Sequence, residues 1–324
     1  VDAITLNTIT ADTLDLSAGG AFTQGADINV ATVDITAAGA IALGNVTATT
    51  LDVTANSGNI TDTGLLAVSG TGTFTATGNN IVFDNSLNDF GTFAASASAV
   101  TVTDVNALIM GQTSAATLTV TAGDSITNSG AIVVSGVTNV TANNTGDITL
   151  NNAGNNFNSL TATATGNTIT VADFGVSGIV LSTIDATTLN VTANGGDITQ
   201  NAALSVANLS ATSSTDIILT NVGNDFTNVT LDANVASLTD ANNVVLAGVD
   251  AASATITALG AGNITDSGTV NVSGIGTFVA DGSDIILDTA TNTIGTFTTG
   301  ISTANNVTVV DQAALNLGNV DASA

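Results

Sequence analysis

Apolar and polar residues alternate strictly through short stretches of this chain. In LDVTA (51–55), LTVTA (118–122), LNVTA (189–193) and the looser TITA (255–258), Leu51, Val53, Leu118, Val120, Leu189, Val191 and Ile256 share one face. Asp52, Thr54, Thr119, Thr121, Asn190, Thr192, Thr255 and Thr257 share the other. A period of two sends successive side chains to opposite sides of a β-strand, so the first set is predicted to enter a core and the second to face water. Between such stretches lie clusters of Gly, Asn, Asp, Ser and Thr, as in TANSGN (54–59), TANNTGD (141–147) and TANGGD (192–197). Gly and Asn accept positive φ at little cost, which predicts tight corners between short strands.

The pattern itself recurs. DITLNNAGNNFNSL (147–160) has close copies at 80–93, 216–229 and 284–297, whose first residues Asn80, Asp147, Asp216 and Asp284 are 67, 69 and 68 apart. Within one copy, strand starts at Asp197, Asp216 and Ser237 give steps of 19 and 21, and the next start, Asn263, lies 26 further on. Steps of about 20–26 suit one coil of a parallel β-helix, in which each coil pairs with the next and no single copy could bury its own apolar face. The fold class expected is therefore all-β, a β-solenoid of about 15 coils with three coils per repeat of ~68 residues, roughly 70 Å long at the usual strand spacing. The repeats fall at about 1–50 (shortened), 51–117, 118–188, 189–255 and 256–324, within a single continuous solenoid spanning 1–324. Phe90, Phe157, Phe226 and Ile294 recur in step and are expected to fill the core once in three coils. Asp34, Asp104, Asp173, Asp240 and Asp311 line up at 70, 69, 67 and 71 and are expected to form an Asp ladder.

Composition excludes more than it suggests. The 324 residues contain no Lys, Arg, His, Cys, Pro, Trp or Tyr, all 26 acidic residues are Asp, and the formal net charge is −26. Val, Ile, Leu and Thr dominate, which favours strands. The usual formers of exposed helix surfaces are missing or rare, which disfavours helices. No apolar run approaches the roughly 18 residues of a membrane-spanning helix. The chain begins at Val1 without a targeting pattern, so it reads as a mature product or an excised segment.

GNDF (223–226), LNDFGTF (87–93), LTVTAGDSITNSGAIVVSG (118–136) and VTDVNALIMG (102–111) together resemble the repeats of large bacterial exoproteins, the filamentous-haemagglutinin-like, β-strand-repeat adhesins. The resemblance covers about residues 14–324. It implies a right-handed parallel β-helix, secretion through the outer membrane, and an extracellular or cell-surface location. The secretion domain of such proteins is not part of this sequence, nor is a carbohydrate-binding or cell-binding module.

Catalysis is disfavoured, because general bases and nucleophiles reduce to Asp, with Ser and Thr left without an imidazole or amine to activate them. An Asp pair could make a glycosidase, but the basic residues that grip an acidic polysaccharide are missing. Nucleic-acid binding lacks the cations that neutralise phosphates. Hard cations prefer oxygen ligands, which makes the turn residues Asp147, Asp197, Asp216 and Asp284, with Asn59, Asp124 and Asn263, weak candidates for Ca²⁺. No calcium-binding nonapeptide or EF-hand spacing occurs, and turn formation explains these residues as well. Thr-x-Thr stretches such as TATAT (161–165) and TVT (101–103) resemble ice-binding faces. The clearest Thr column, Thr54, Thr121, Thr192 and Thr257, nevertheless recurs only once in three coils, and β-propensity explains it better. Asn-x-Thr triplets such as Asn139-Val-Thr141 follow from composition.

LNLGNVDASA (315–324) matches ALGNVTATT (42–50), which leads into a further strand, and no polar cap is visible at either end. Open solenoid ends expose strand edges. The expected function is thus the structural shaft of a secreted or cell-surface adhesin-like fibre. Its expected partners are copies of itself end to end or flanking repeats of the same chain, with host, neighbouring-cell or matrix glycans as further candidates; no cofactor beyond weak Ca²⁺ is expected. The alternatives are a binding module that presents flat Thr and Asn faces to glycans or a partner surface, and a weakly Ca²⁺-dependent matrix protein.

Overall fold

A computed structural model describes residues 9, 11–300 and 303–322. The protein is all-β: parallel strands form a β-solenoid of about 15 turns, without helix among the described residues. The alternation seen in the sequence is the reason. Val53, Val120, Val191 and Ile256 are all buried, and the Thr residues beside them point outward. The steps overlap the lower part of the 20–26 residues expected and extend below it: Asn228 beside Val245 is a step of 17, and Ile285 beside Val307 a step of 22. The step of 26 came from comparing unlike positions: Ser237 stands between Ile218 and Thr255, whereas Val244 is the partner of Ile264, a step of 20.

The chain divides into two compact units, Val1–Asn158 with Ala162–Ala164, and Ser159–Thr161 with Thr165–Ala324. In the first, Thr13–Ala18, Thr32–Ala37 and Thr50–Ala55 stack without a register shift, so Leu14, Val33 and Leu51 form one column and Leu16, Ile35 and Val53 the next. The longer strands Leu66–Phe83 and Asp89–Asp104 follow, with a register shift between Ala97 and Ala99, opposite Gly78. Gly78 has φ +74°, a conformation that lets the strand bend without a Cβ clash. Four buried rings, Phe74, Phe83, Phe90 and Phe93, cluster there with centroids 4.6 to 6.1 Å apart, so aromatic packing is locally denser than one ring in three coils. Burying each such ring stabilises the fold by roughly 1.5–3 kcal/mol.

In the second unit, Leu189, Leu209 and Val229 form one column, and Val191, Ala211 and Leu231 another. The register slips between Val229 and Thr230, against Val244–Ala258, and again between Ala251 and Ala254 and between Val272 and Ile275 in the following coils. Phe278 and Phe297 stack at 5.5 Å. Phe90, Phe157, Phe226 and Ile294 are all buried, as their spacing predicted.

Strand register corrects the expectation for threonine. Thr54 lies between Thr36 and Thr75, Thr121 between Thr103 and Thr141, Thr192 beside Thr212, and Thr257 beside Thr239. The Thr columns therefore run through two or three successive coils before they are interrupted, by Asp232 after Thr212 and by Val279 after Thr257. The repeat-to-repeat comparison found only the members separated by three coils, because neighbouring coils differ in the residues around them.

Candidate functional site

Buried carboxylates close the corners of the coils. Asp104 ends its strand inside the fold, where one oxygen accepts the Phe90 N–H at 2.7 Å and the other the Asn106 N–H at 2.9 Å. Asp240 repeats this arrangement with Phe226 at 2.6 Å and Asn242 at 2.8 Å. The half-buried Asp311 does so with Ile294 at 2.6 Å and Ala313 at 2.7 Å. Asp173 is likewise buried. Each carboxylate thus fixes the N–H of the column residue Phe90, Phe226 or Ile294. Burial pushes Asp104 and Asp240 above the ordinary carboxylate value, and the N–H groups they accept only partly offset this.

Asp34 does not belong to this ladder. It is exposed in mid-strand, beside Asp15 in one coil and Asp52 in the next. Equal spacing placed it in line, but the shorter N-terminal coils shift the phase, and the strand turns Asp34 outward. Asp52 is pushed up by partial burial and by the negative charge of Asp34.

The turn residues weighed as calcium ligands do not converge. Asp197 accepts the Asp216 N–H at 3.1 Å, Asp216 accepts the Val235 N–H at 3.2 Å, and Asp284 accepts the Asn306 N–H at 3.1 Å. Asp147 is exposed, and its N–H donates to the Ser125 hydroxyl at 3.2 Å. Asn59 and Asn263 accept the N–H of Asn80 and Asp284 in the same way. The side-chain oxygen at a strand start thus receives the N–H of the equivalent position one coil on. The Asn306 and Asn305 amides beside Asp284 hold its carboxyl below the usual range. Among the described residues no three acidic side chains come together in a way that could hold a metal ion.

One set of fully buried polar groups did not stand out in the sequence. Asn88, Asn155, Asn224 and Asn292 are fully buried, one in each of the four full repeats. Their side-chain oxygens accept the N–H of Leu66, Ile132, Leu204 and Val270 in the preceding coil at 2.8 to 2.9 Å. Each also meets a polar partner at the end of a three-residue strand: Asp62 at 2.7 Å, Asn128 at 2.8 Å, Gln200 at 2.7 and 2.9 Å, and Asp266 at 2.6 Å. The signal was present as the Asn of LNDF, GNNF, GNDF and TNTI and as the last residue of ITD, ITN, ITQ and ITD. It read as turn formation because sequence alone does not bring two corners some 25 residues apart together.

Outside the core, amides take the place of cations. Asn45, Asn106, Asn242 and Asn271 donate to Asp27, Asp89, Asp225 and Asp250 across adjacent coils at 2.9 to 3.1 Å. The strand faces carry shallow depressions, such as the one lined by Thr73, Ala94, Ser96, Gln112 and Ser114. What these groups do chemically is to satisfy backbone N–H groups and tie one coil to the next.

No curated protein and no solved structure shows significant similarity to the chain. A family described as repeats of unknown function (DUF5649) matches residues 1–46, 31–96, 97–164, 165–233 and 232–300. These matches cover most of the sequence at the spacing of its internal repeats, and the chain belongs to that family of repeats.

Proposed function

We propose that the chain is a structural shaft, part of a secreted or cell-surface, adhesin-like bacterial fibre. The observation that carries this reading is the direction of the polar contacts. The buried Asn residues, the strand-start Asp and Asn residues and the exposed Asn–Asp pairs all join one coil to the next. Polar side chains used this way resist slippage between coils and separation of strands, which a load-bearing stalk requires. The resemblance of LNDFGTF and its companions to filamentous-haemagglutinin-like repeats supports the extracellular setting. Partners on this reading are further repeats of the same kind, either on the same chain or on other copies.

Negative-stain electron microscopy of the purified chain over a range of concentrations tests the proposal. Unbranched rods, or filaments that lengthen with concentration, are expected. Compact, irregular particles at every concentration would overturn it.

A further inference from the structure

Thr119 lies at the centre of a regular patch of hydroxyls. Thr101, Thr119 and Asn139 form one row across three successive coils, and Thr103, Thr121 and Thr141 form the next. Val102, Val120 and Val140, between the rows, are buried and hold the three strands at one height. The second unit repeats the device. Ser237, Thr255 and Thr277 make one row, Thr239 and Thr257 the next, over buried Leu238, Ile256 and Phe278. Neighbouring outward positions are about 6.7 Å apart along a strand and about 4.8 Å apart between coils, so each patch is a nearly rectangular lattice.

Three properties, taken together, suit these patches to an ordered, uncharged ligand. The hydroxyls of Thr101, Thr103, Thr119, Thr121 and Thr141 make no hydrogen bond within the protein, nor do those of Ser237, Thr239, Thr255, Thr257 and Thr277. Several outward polar side chains elsewhere are occupied between coils, as Thr50 is with Thr32 and Asn242 with Asp225. No patch position is charged, although the chain carries 26 carboxylates and outward positions on other strands hold Asp15, Asp34 and Asp52. Threonine is also stiff at χ1, which holds hydroxyl and methyl in fixed directions on a flat strand. Each hydroxyl keeps one donor and two acceptor sites for water.

We infer that these two threonine patches bind ice. The ligand is the ordered water of a crystal face, whose oxygens repeat at distances close to those of the hydroxyl lattice. Methyl groups between the hydroxyls favour a cage-like water layer that can merge with the crystal, and no carboxylate imposes its own hydration shell. This inference does not depend on the shaft reading, since a surface on any extracellular solenoid would serve.

The test is an ice-recrystallisation assay on the purified chain, with the Thr119→Tyr/Thr255→Tyr variant as the blocked form. Thr50→Tyr, on the row of Thr13 and Thr32 that lies beside the row of Asp15, Asp34 and Asp52, is the control. The unaltered chain and the control are expected to arrest grain growth, and the double variant to lose that effect while keeping the same melting temperature. If the bulky rings prevent folding, Thr119→Lys/Thr255→Lys places a charge on each patch and is expected to show the same loss. Grain growth in the presence of the unaltered chain equal to that in buffer would overturn the inference, as would equal activity in all variants or equal loss in the control.

Discussion

A single buried asparagine per repeat settles how neighbouring coils are aligned. Asn224 accepts the Leu204 N–H and exchanges two hydrogen bonds with Gln200, and its amide also reaches the carbonyls of Leu219 and Thr239. Removing one partner of a buried network costs the desolvation of every group left behind, so Asn224→Ala should destabilise the protein by about 2–4 kcal/mol in a denaturant melt. Asn221→Ala, at a half-buried turn, loses only the bond its side chain accepts from the Gly223 N–H and should cost less. Thr138 makes the opposite case, because its hydroxyl is buried without a partner. Thr138→Val keeps the shape and removes the unpaired group, and should raise stability by about 1 kcal/mol in the same measurement. Neither residue stood out in the sequence, since an Asn in a turn-like string and a Thr in a strand-like string look ordinary. Only their burial distinguishes them.

Strands here are held at their ends as well as along their ladders. Asp240 closes the strand Asp225–Asp240 back onto its own beginning by accepting the Phe226 N–H, and the following corner by accepting the Asn242 N–H. Asp240→Ala leaves both N–H groups unpaired and should cost about 3 kcal/mol or more by chemical denaturation. Asp240→Asn keeps one acceptor oxygen and removes a buried charge, so its cost should be clearly smaller. The period-two pattern predicted these strands and their buried face, and the recurrence lined up Asp104, Asp173 and Asp240, whose burial only the fold shows. It failed at Asp34, which shares the interval but lies in mid-strand, where the alternation in TVDITA turns it outward. Interval and alternation disagreed there, and alternation prevailed because a strand has no way to bury every residue.

At the scale of the whole molecule, the chain balances 26 carboxylates without one cationic side chain, so charge interactions at neutral pH are repulsive apart from contacts with amides and N–H groups. Added salt should therefore raise the melting temperature steadily, as screening shortens the reach of the repulsion to about 8 Å at physiological strength. The pH dependence has the same origin. Burial raises the folded-state values of Asp62, Asp104 and Asp240, and burial with a neighbouring charge raises that of Asp52. The folded state thus binds protons more tightly than the unfolded chain, and the resulting stability is complete below the unfolded carboxylate value and lost as pH rises through the raised values. Asp284 is shifted down and acts in the opposite sense, but it is exposed and counts for little. Melting temperature should therefore increase on acidification into the carboxylate range and stay nearly level from mild acid to mild alkali, where no His or Cys titrates. A fall in melting temperature on acidification would contradict the balance of shifts.

The sequence by itself determined the all-β class, the coiled repeat, the buried faces and the Phe and Ile column, because a period of two and a recurrence near 68 residues are local and countable. The tertiary structure decided what depends on contacts between coils. It set the step at 17 to 22 residues, moved Asp34 to the surface, joined Asn88 to Asp62 and Asn224 to Gln200, and brought Thr101 and Thr119 side by side. The physical reason is that register between coils is fixed by the summed fit of corners, buried amides and apolar columns. No single stretch of sequence carries that sum.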